Sequence, residues 1–365
     1  MSSQPNPPPA PSGPSPEPTR LTAWLARVTG HAGPFTLSQI AGGASPRRFF
    51  RTVLGESTRA VLMWVPPETP DVAFARERGR PWPFLEVRAL LAGAGVRVPP
   101  ILAEDCDQGL LLVEDLGVTL AEHLEAEPEE REVLYRQAVL ELADAQARLS
   151  PLPADSVVRL RQFDEVLYRS ELEHFWDWAV VARGVSAPRP PFQRALDYLL
   201  RELCALPRAF THRDYQSRNL LVAATGATLA THDSSAPHGP LGWIDFQDAL
   251  LGPRAYDLVA LLCDSYQPFD RLFVEQRLDE YARARSLSAA DRRALGREFD
   301  LLTLERKLKD AGRFVFIEKK RGDASFLPFV TPTLAIVENA LERLRDVPEL
   351  SGLAEIVAAA RSAAS

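Results

Sequence analysis

Thr211-His212-Arg213-Asp214-Tyr215-Gln216-Ser217-Arg218-Asn219-Leu220-Leu221-Val222, followed by Trp243-Ile244-Asp245-Phe246, is the stretch on which the reading of this chain turns. An Asp, an Asn five positions later and a second Asp closing a short apolar run stand in the order that phosphoryl transfer from a nucleotide uses. One carboxylate orients and deprotonates an attacking hydroxyl, while an amide oxygen and a second carboxylate suit a hard divalent cation on the phosphates. Asp214 is therefore the candidate base, and Asn219 and Asp245 are the candidate Mg²⁺ ligands. His212 completes the catalytic loop, where pinning it by hydrogen bonding is the expected role. Taken alone, Asp-x₄-Asn describes many capped surface turns. Its coupling to an apolar strand and then to Ile244-Asp245-Phe246 makes it specific.

Upstream of the motif the chain reads as strands around one helix. Phe49–Leu54 and Arg59–Val65 flank the turn Gly55-Glu56-Ser57 as two strands. Pro66, Pro67 and Pro70 end the second, because proline removes ladder donors. A helix is expected from Pro83 to Ala94, then a strand pair over Ile101–Glu104 and Leu110–Val113. Beyond Glu114-Asp115-Leu116-Gly117 the pattern turns helical. Leu134, Ala138, Leu142, Ala145 and Leu149 share one helical face, as do Leu334, Val337, Leu341 and Leu344. Within this half, Leu220–Val222 and Trp243–Ile244 read as short strands, and Ala223–Gly242 as a long mobile surface loop.

Bulk composition narrows the function classes. The 365 residues hold 46% hydrophobic and 25% charged side chains, ordinary for a globular protein of two lobes. A net charge of −7 argues against nucleic acid as a partner, since phosphate backbones require a basic surface. Cys106, Cys204 and Cys263 lie far apart, without metal-ligand spacing, and fit a reducing cytoplasm. His232 and His238 read as loop residues. No run of 18 apolar residues suggests a membrane span. Residues 1–20, rich in Pro and Ser, are expected to form a disordered tail and lack the apolar core of a secretory signal.

With these segments in view, the chain resembles the aminoglycoside phosphotransferase and choline kinase superfamily. The resemblance rests on His212-Arg213-Asp214, Asn219, Ile244-Asp245-Phe246-Gln247-Asp248-Ala249, and Gly252-Pro253 with Tyr256-Asp257-Leu258. Ala44-Ser45-Pro46-Arg47-Arg48-Phe49-Phe50-Arg51, Val61–Pro67, Val96-Arg97-Val98-Pro99 and Leu111–Gly117 are similar to the sugar kinases of cell-wall recycling that act on the anomeric hydroxyl of N-acetylmuramate and N-acetylglucosamine. The resemblance spans about residues 21 to 345. It implies an α+β, bilobal protein-kinase-like fold, with an antiparallel N-lobe over 21–114 and a mainly helical C-lobe over 115–365. It implies ATP and Mg²⁺ as cofactors and a small sugar as the partner, and it leaves the oligomeric state open. Asp257 would steady the catalytic loop, Glu114 to Leu116 would form the hinge that meets adenine, Ser45 to Arg48 would cover the nucleotide, and Glu86 would sit on the N-lobe helix.

Two departures from the protein-kinase pattern stand out. No G-x-G-x-x-G is present, and Ala60-Val61-Leu62-Met63 ends on Met63 where those kinases carry a phosphate-binding lysine. A thioether supplies no charge. Arg47, Arg48 or Arg51 is therefore expected to reach the phosphates, leaving Glu86 as either an ion-pair partner or a solvated helix residue. For the acceptor, Tyr215, Gln216, Arg218, Gln247 and Arg313 are the candidate substrate contacts. Arg313 lies in a basic stretch from Arg306 to Arg321 that either faces an anionic substrate or forms a solvated helix face. Trp176 and Trp178 offer sugar stacking or core packing. Two other readings stay open. One is an aminoglycoside or amino-alcohol kinase, whose polycationic substrate would use Glu129, Glu130, Glu132, Glu171, Glu173 and Asp177; the other is a catalytically silent kinase fold that only binds.

Overall fold

The computed structural model describes residues 17–31, 33–40, 46–223, 238–265 and 267–363. Ser45, His232 and most of the expected loop over 223–242 lie outside the described residues. The chain forms two compact units, one of residues 1–118 with 221–244, the other of residues 119–220 with 245–365. The expected lobe boundary thus needs a correction: residues 221–244 group with the first unit, not with the helical one.

The first unit is built on a five-stranded antiparallel sheet of order β1-β2-β3-β5-β4. Its strands are β1 (Ser38–Ile40), β2 (Arg48–Leu54), β3 (Thr58–Trp64), β4 (Ile101–Asp105) and β5 (Leu110–Glu114). Alternation along the strands sends neighbouring side chains to opposite faces. Leu62, Leu110 and Leu112 point to one face and pack with Leu21, Trp24 and Leu25 of α1 (Pro18–Thr29). Met63 and Leu111 point to the other, packing with Val72 and Ala75 of α2 (Pro70–Arg78) and with Trp82, which precedes α3 (Pro83–Gly93). A helix thus lies on each face of the sheet, and α1 overturns the expectation of disorder for Pro18, Thr19 and Arg20. The prolines at 18, 70 and 83 each occupy the first turn of a helix, where a missing N–H costs nothing. Pro70 therefore opens a helix as well as following a strand, and sequence reading found only the second role.

The chain leaves this sheet through β6 (Val118–Thr119) and becomes helical. The second unit contains α4 (Leu120–Ala126), α5 (Arg131–Arg148), α6 (Val157–Leu160), α7 (Glu165–His174) and α8 (Arg189–Ala205). After the short strands come α9 (Tyr256–Leu262), α10 (Arg271–Ala284), α11 (Ala289–Arg321), α12 (Val330–Arg343) and α13 (Ser351–Ser362). The 33-residue α11 runs through the centre of the unit, burying Leu301 to Leu308 as a continuous block. A π-helical turn, Phe175–Val180, packs so tightly on α11 that a Cβ at Gly312 would lie 2.6 Å from the His174 carbonyl oxygen. The segment Ala324–Arg343 is long and apolar enough by composition to span a bilayer, with mean hydropathy 1.3. Within it α12 buries Val330, Leu334, Val337 and Leu341, as a core helix does.

Two strands bracket the opening motif. β7 (Arg208–Thr211) pairs antiparallel with β10 (Leu250–Pro253), Thr211 opposite Leu250. β8 (Leu220–Val222) and β9 (Gly242–Trp243) are neighbours in a separate small sheet. Gly252 sits where a Cβ would meet Phe163 Cδ2 at 2.7 Å and Thr211 Oγ1 at 2.8 Å, so only glycine lets β10 approach this closely.

Candidate active site

The loop between β7 and β8 is fixed from several directions. Gln146 of α5 donates to the Phe210 carbonyl at 3.0 Å and to the Arg254 carbonyl at 3.2 Å. The Tyr215 hydroxyl donates to the Ala138 carbonyl at 2.8 Å, and Ser217 donates to the Asp264 carboxylate at 2.8 Å. Tyr215 is fully buried, which corrects its expected place among the substrate contacts: its one polar group is spent on α5. His212 is equally buried and accepts from the Asp214 N–H through Nδ1 at 3.3 Å, the pinning role expected of it. Gln216 is half-buried and Arg218 exposed.

Asp257, in the first turn of α9, accepts from the backbone N–H groups of His212 at 2.6 Å and Arg213 at 3.0 Å. These bonds hold Arg213 at φ = 77°, a left-handed conformation that a long side chain adopts only under constraint. The turn carries Asp214 out of the core, and its side chain keeps 45% of its surface exposed. Asn219 donates from Nδ2 to the Asp214 carbonyl at 2.8 Å, which fixes the amide and directs Oδ1 away from that bond. Asp245 is exposed and also left-handed, with φ = 62°. Gln247 is buried and donates to Asp245 Oδ1 at 2.8 Å and to Asp248 at 3.3 Å, so it orients the aspartate and is not itself presented to an acceptor. The donor set of Asn219 and Asp245 is oxygen throughout, the chemistry that suits Mg²⁺.

Behind Asp214 lies a charge cluster that the sequence reading did not assemble. Arg306 of α11 donates to Asp214 Oδ1 at 3.3 Å, to the Arg213 carbonyl at 2.6 Å and to the Tyr256 hydroxyl at 3.1 Å. Lys309, one turn on, donates to Tyr256 at 2.7 Å and faces Glu171 of α7 at 3.5 Å. Glu171 also pairs with Arg213 at 3.1 Å. Desolvation by the surrounding protein pushes the half-exposed Asp214 carboxyl up, but Arg306, Lys309, Arg213 and His212 together outweigh it and hold it below the usual carboxylate value. Burial, reinforced by Glu171, pushes the fully buried Glu305 carboxyl well above the usual carboxylate value.

The basic stretch is thus neither a uniform solvated face nor a uniform substrate face. Arg306 and Lys307 are buried, and Lys307 is engaged with Asp310 at 2.9 Å. Lys319 and Lys320 are exposed in the last turn of α11, where they complement the helix dipole. Arg313, two turns beyond Arg306, is exposed. Burial, and then Arg313, lower the pKa of His174. The signal for burial was in the sequence: Arg306 and Lys307 sit inside the run from Leu301 to Leu308. Trp178 packs edge-on against Phe316, with ring centroids 4.9 Å apart, and Lys320 lies over its ring.

The residues expected to hold a nucleotide fall in the first unit. Arg47 pairs with Asp71, Arg51 and Arg59 both meet Asp115 at 3.3 Å, and Arg48 is buried. Glu114 and Asp115 donate their N–H groups to the Pro100 and Arg59 carbonyls, and the Leu116 carbonyl accepts from Arg97 at 3.3 Å. Leu116 also lies so close to Gly242 that a Cβ there would sit 2.7 Å from its Cδ1. Met63 is buried. Glu86 is not a solvated helix residue; it forms a two-bond ion pair with Arg80, at 2.6 and 3.3 Å.

Comparison with known proteins places this geometry. The chain is 32% identical over 346 residues to the N-acetylmuramate/N-acetylglucosamine kinase of Pseudomonas aeruginosa, covering 92% of this chain and 91% of that protein. The Pseudomonas putida protein of the same name is 31% identical, covering 94% and 97%. Among solved structures, choline kinase LicA from Streptococcus pneumoniae superposes with a TM-score of 0.56 at 13% identity, covering 90% of this chain and all of that one. Aminoglycoside 2'-phosphotransferase-IIIa, solved as a GDP complex, superposes with a TM-score of 0.58 at 14% identity, with the same coverage. These similarities establish a protein-kinase-like fold, with the sheet in the first unit and helices through the second. The profile described as the phosphotransferase enzyme family matches residues 36–295, a span that holds β2 to β5, the catalytic loop and Asp257, and the chain belongs to that family.

Proposed function

We propose that this phosphotransferase is an ATP-dependent sugar kinase acting on the anomeric hydroxyl of N-acetylmuramate or N-acetylglucosamine. The observation that carries the reading is Asp214: a half-exposed carboxylate on a constrained turn, flanked by Asn219 and backed by buried Arg306. Relatives about 30% identical over nine-tenths of their length, named for these two sugars, support the choice of acceptor.

Asp214 accepts the proton of the sugar hydroxyl as the new oxygen–phosphorus bond forms and the bond to the leaving ADP breaks. Its low affinity for protons suits a loose transition state, in which the base orients the hydroxyl more than it pulls on it. Asn219 and Asp245 are the residues to hold Mg²⁺. The bound ion neutralises charge on the phosphates. Asp257, Gln247 and Arg306 act by orienting these groups.

The aminoglycoside alternative has less support. Of the carboxylates it would use, Glu171 is committed to Arg213 and Lys309, Glu173 to Arg189, and Glu130 to His123. The deciding experiment incubates the protein with Mg²⁺-ATP and each sugar, and reads the position of the new phosphate by phosphorus NMR. An anomeric phosphate on either sugar is expected. Turnover of kanamycin with neither acetylated sugar phosphorylated would overturn the reading.

A further inference from the structure

A kinase-like site needs a cation on the nucleotide phosphates, and in protein kinases a strand lysine, held by a helix glutamate, supplies it. Here the strand position is Met63, buried against Val72, Ala75 and Trp82 on the sheet face that α2 and α3 cover. The arginines nearest in sequence to the nucleotide-covering segment have other duties. Arg47 is paired with Asp71, and Arg51 with Asp115. On the Met63 side of the sheet, however, a carboxylate and a cation do meet. Glu86, in the first turn of α3, takes two hydrogen bonds from Arg80, at 2.6 and 3.3 Å.

Arg80 is placed for this by its surroundings. Its own N–H donates to the Ala75 carbonyl at 3.0 Å, closing the C-terminal end of α2. Two residues later Trp82 enters the same apolar cluster as Met63. Arg80 therefore lies in the connector between Ala75 and Trp82, two members of the cluster that the methionine fills from the strand. The pair is partly buried, with side-chain exposures of 25% for Arg80 and 19% for Glu86, so Arg80 is both oriented and reachable. The planar fork of a guanidinium matches a phosphate as it does a carboxylate.

We propose that Arg80, oriented by Glu86, is the residue that meets the nucleotide phosphates in this chain, in the role that a strand lysine fills in protein kinases. The proposal rests on the reading of the chain as an ATP-dependent kinase. It moves the cation from strand to helix connector while keeping the glutamate that steadies it.

The test separates phosphate recognition from the rest of the nucleotide. Dissociation constants for ATP and for adenosine, both with Mg²⁺, are measured by isothermal titration on the full-length protein and on Arg80→Ala, Arg80→Lys, Glu86→Gln and Arg51→Ala. The quantity read is how much more tightly ATP binds than adenosine. Loss of a charge-assisted contact should cut that preference about ten- to a hundredfold in Arg80→Ala, with adenosine affinity nearly unchanged. Arg80→Lys should fall between Arg80→Ala and wild type, and Glu86→Gln should lose part of the preference. An unchanged preference in Arg80→Ala overturns the proposal, as does an equal or larger loss in Arg51→Ala. Wild-type protein that binds no ATP overturns this proposal and the kinase reading together. If wild type binds ATP yet phosphorylates neither sugar, only the substrate assignment fails, and the Arg80 comparison still decides the proposal.

Discussion

The two units hold their charges in different ways. In the first, Asp115 is buried but its partners Arg51 and Arg59 are 42% and 52% exposed, so solvent screens each pair and can replace either arginine. In the second, Arg306 is 6% exposed, and its hydrogen-bond partners come from the catalytic loop and from Tyr256 of α9. A buried cation of this kind cannot be lost without leaving its partners unsatisfied. The arginines around Asp115 can therefore be removed at little cost to folding, whereas Arg306 is tied to the fold itself.

The largest test of this contrast is the base. Asp214→Asn removes the proton acceptor but keeps the shape, and kcat should fall by about 10²–10⁴, with circular dichroism and melting temperature near wild type. Next comes Arg306→Met, which strips the donor from Asp214, from the Arg213 carbonyl and from Tyr256. It should lower unfolding free energy by about 2–3 kcal/mol in urea titrations and lower kcat as well. A loss no greater than that of an exposed pair would break the contrast.

Asp257→Asn sharpens it through pH. Burial pushes this carboxyl up from 3.8 to about 7, against the pull of the His212 and Arg213 N–H groups and of Arg306. Between those values the folded state binds more protons than the unfolded chain, so this group's contribution to stability falls as pH rises from about 4 to about 7. The variant should cost about 1–2 kcal/mol for the acceptor it loses and should flatten that slope, read from urea unfolding at pH 5 and pH 7.5. The smallest effect belongs to Arg51→Ala, where Arg59 still serves Asp115. Its stability should stay within about 0.5 kcal/mol of wild type.

Local signals in the sequence were enough for much of the fold. The apolar runs in Arg59–Val65 and Leu110–Val113, the turn at Gly55 and the breaks at Pro66 and Gly93 located β2 to β5 and α3 to within a residue or so at each end, while β1 and α2 went unread. The catalytic loop was legible because Asp214, Asn219 and Asp245 share one short region. What stayed hidden depends on which partner a charged side chain selects. Nothing near Asp214 points to Arg306, 92 positions away, and nothing in the helix around Glu86 names Arg80 over Arg88. Tyr215 was misjudged because a tyrosine in a catalytic loop looks the same whether its hydroxyl meets a ligand or the Ala138 carbonyl. Pro70 was read for the strand it ends, since one proline carries no mark of which neighbour it serves.

The distance in sequence between Asp214 and Arg306 has a consequence for synthesis. The catalytic loop, both candidate metal ligands and Asp257 leave the ribosome well before α11 does. Until Arg306 arrives, the Arg213 carbonyl lacks its 2.6 Å donor and Asp214 lacks the guanidinium that backs it. The nascent chain thus carries the motif for phosphoryl transfer in full before it has the part that fixes its geometry, and activity should begin only when α11 folds into place.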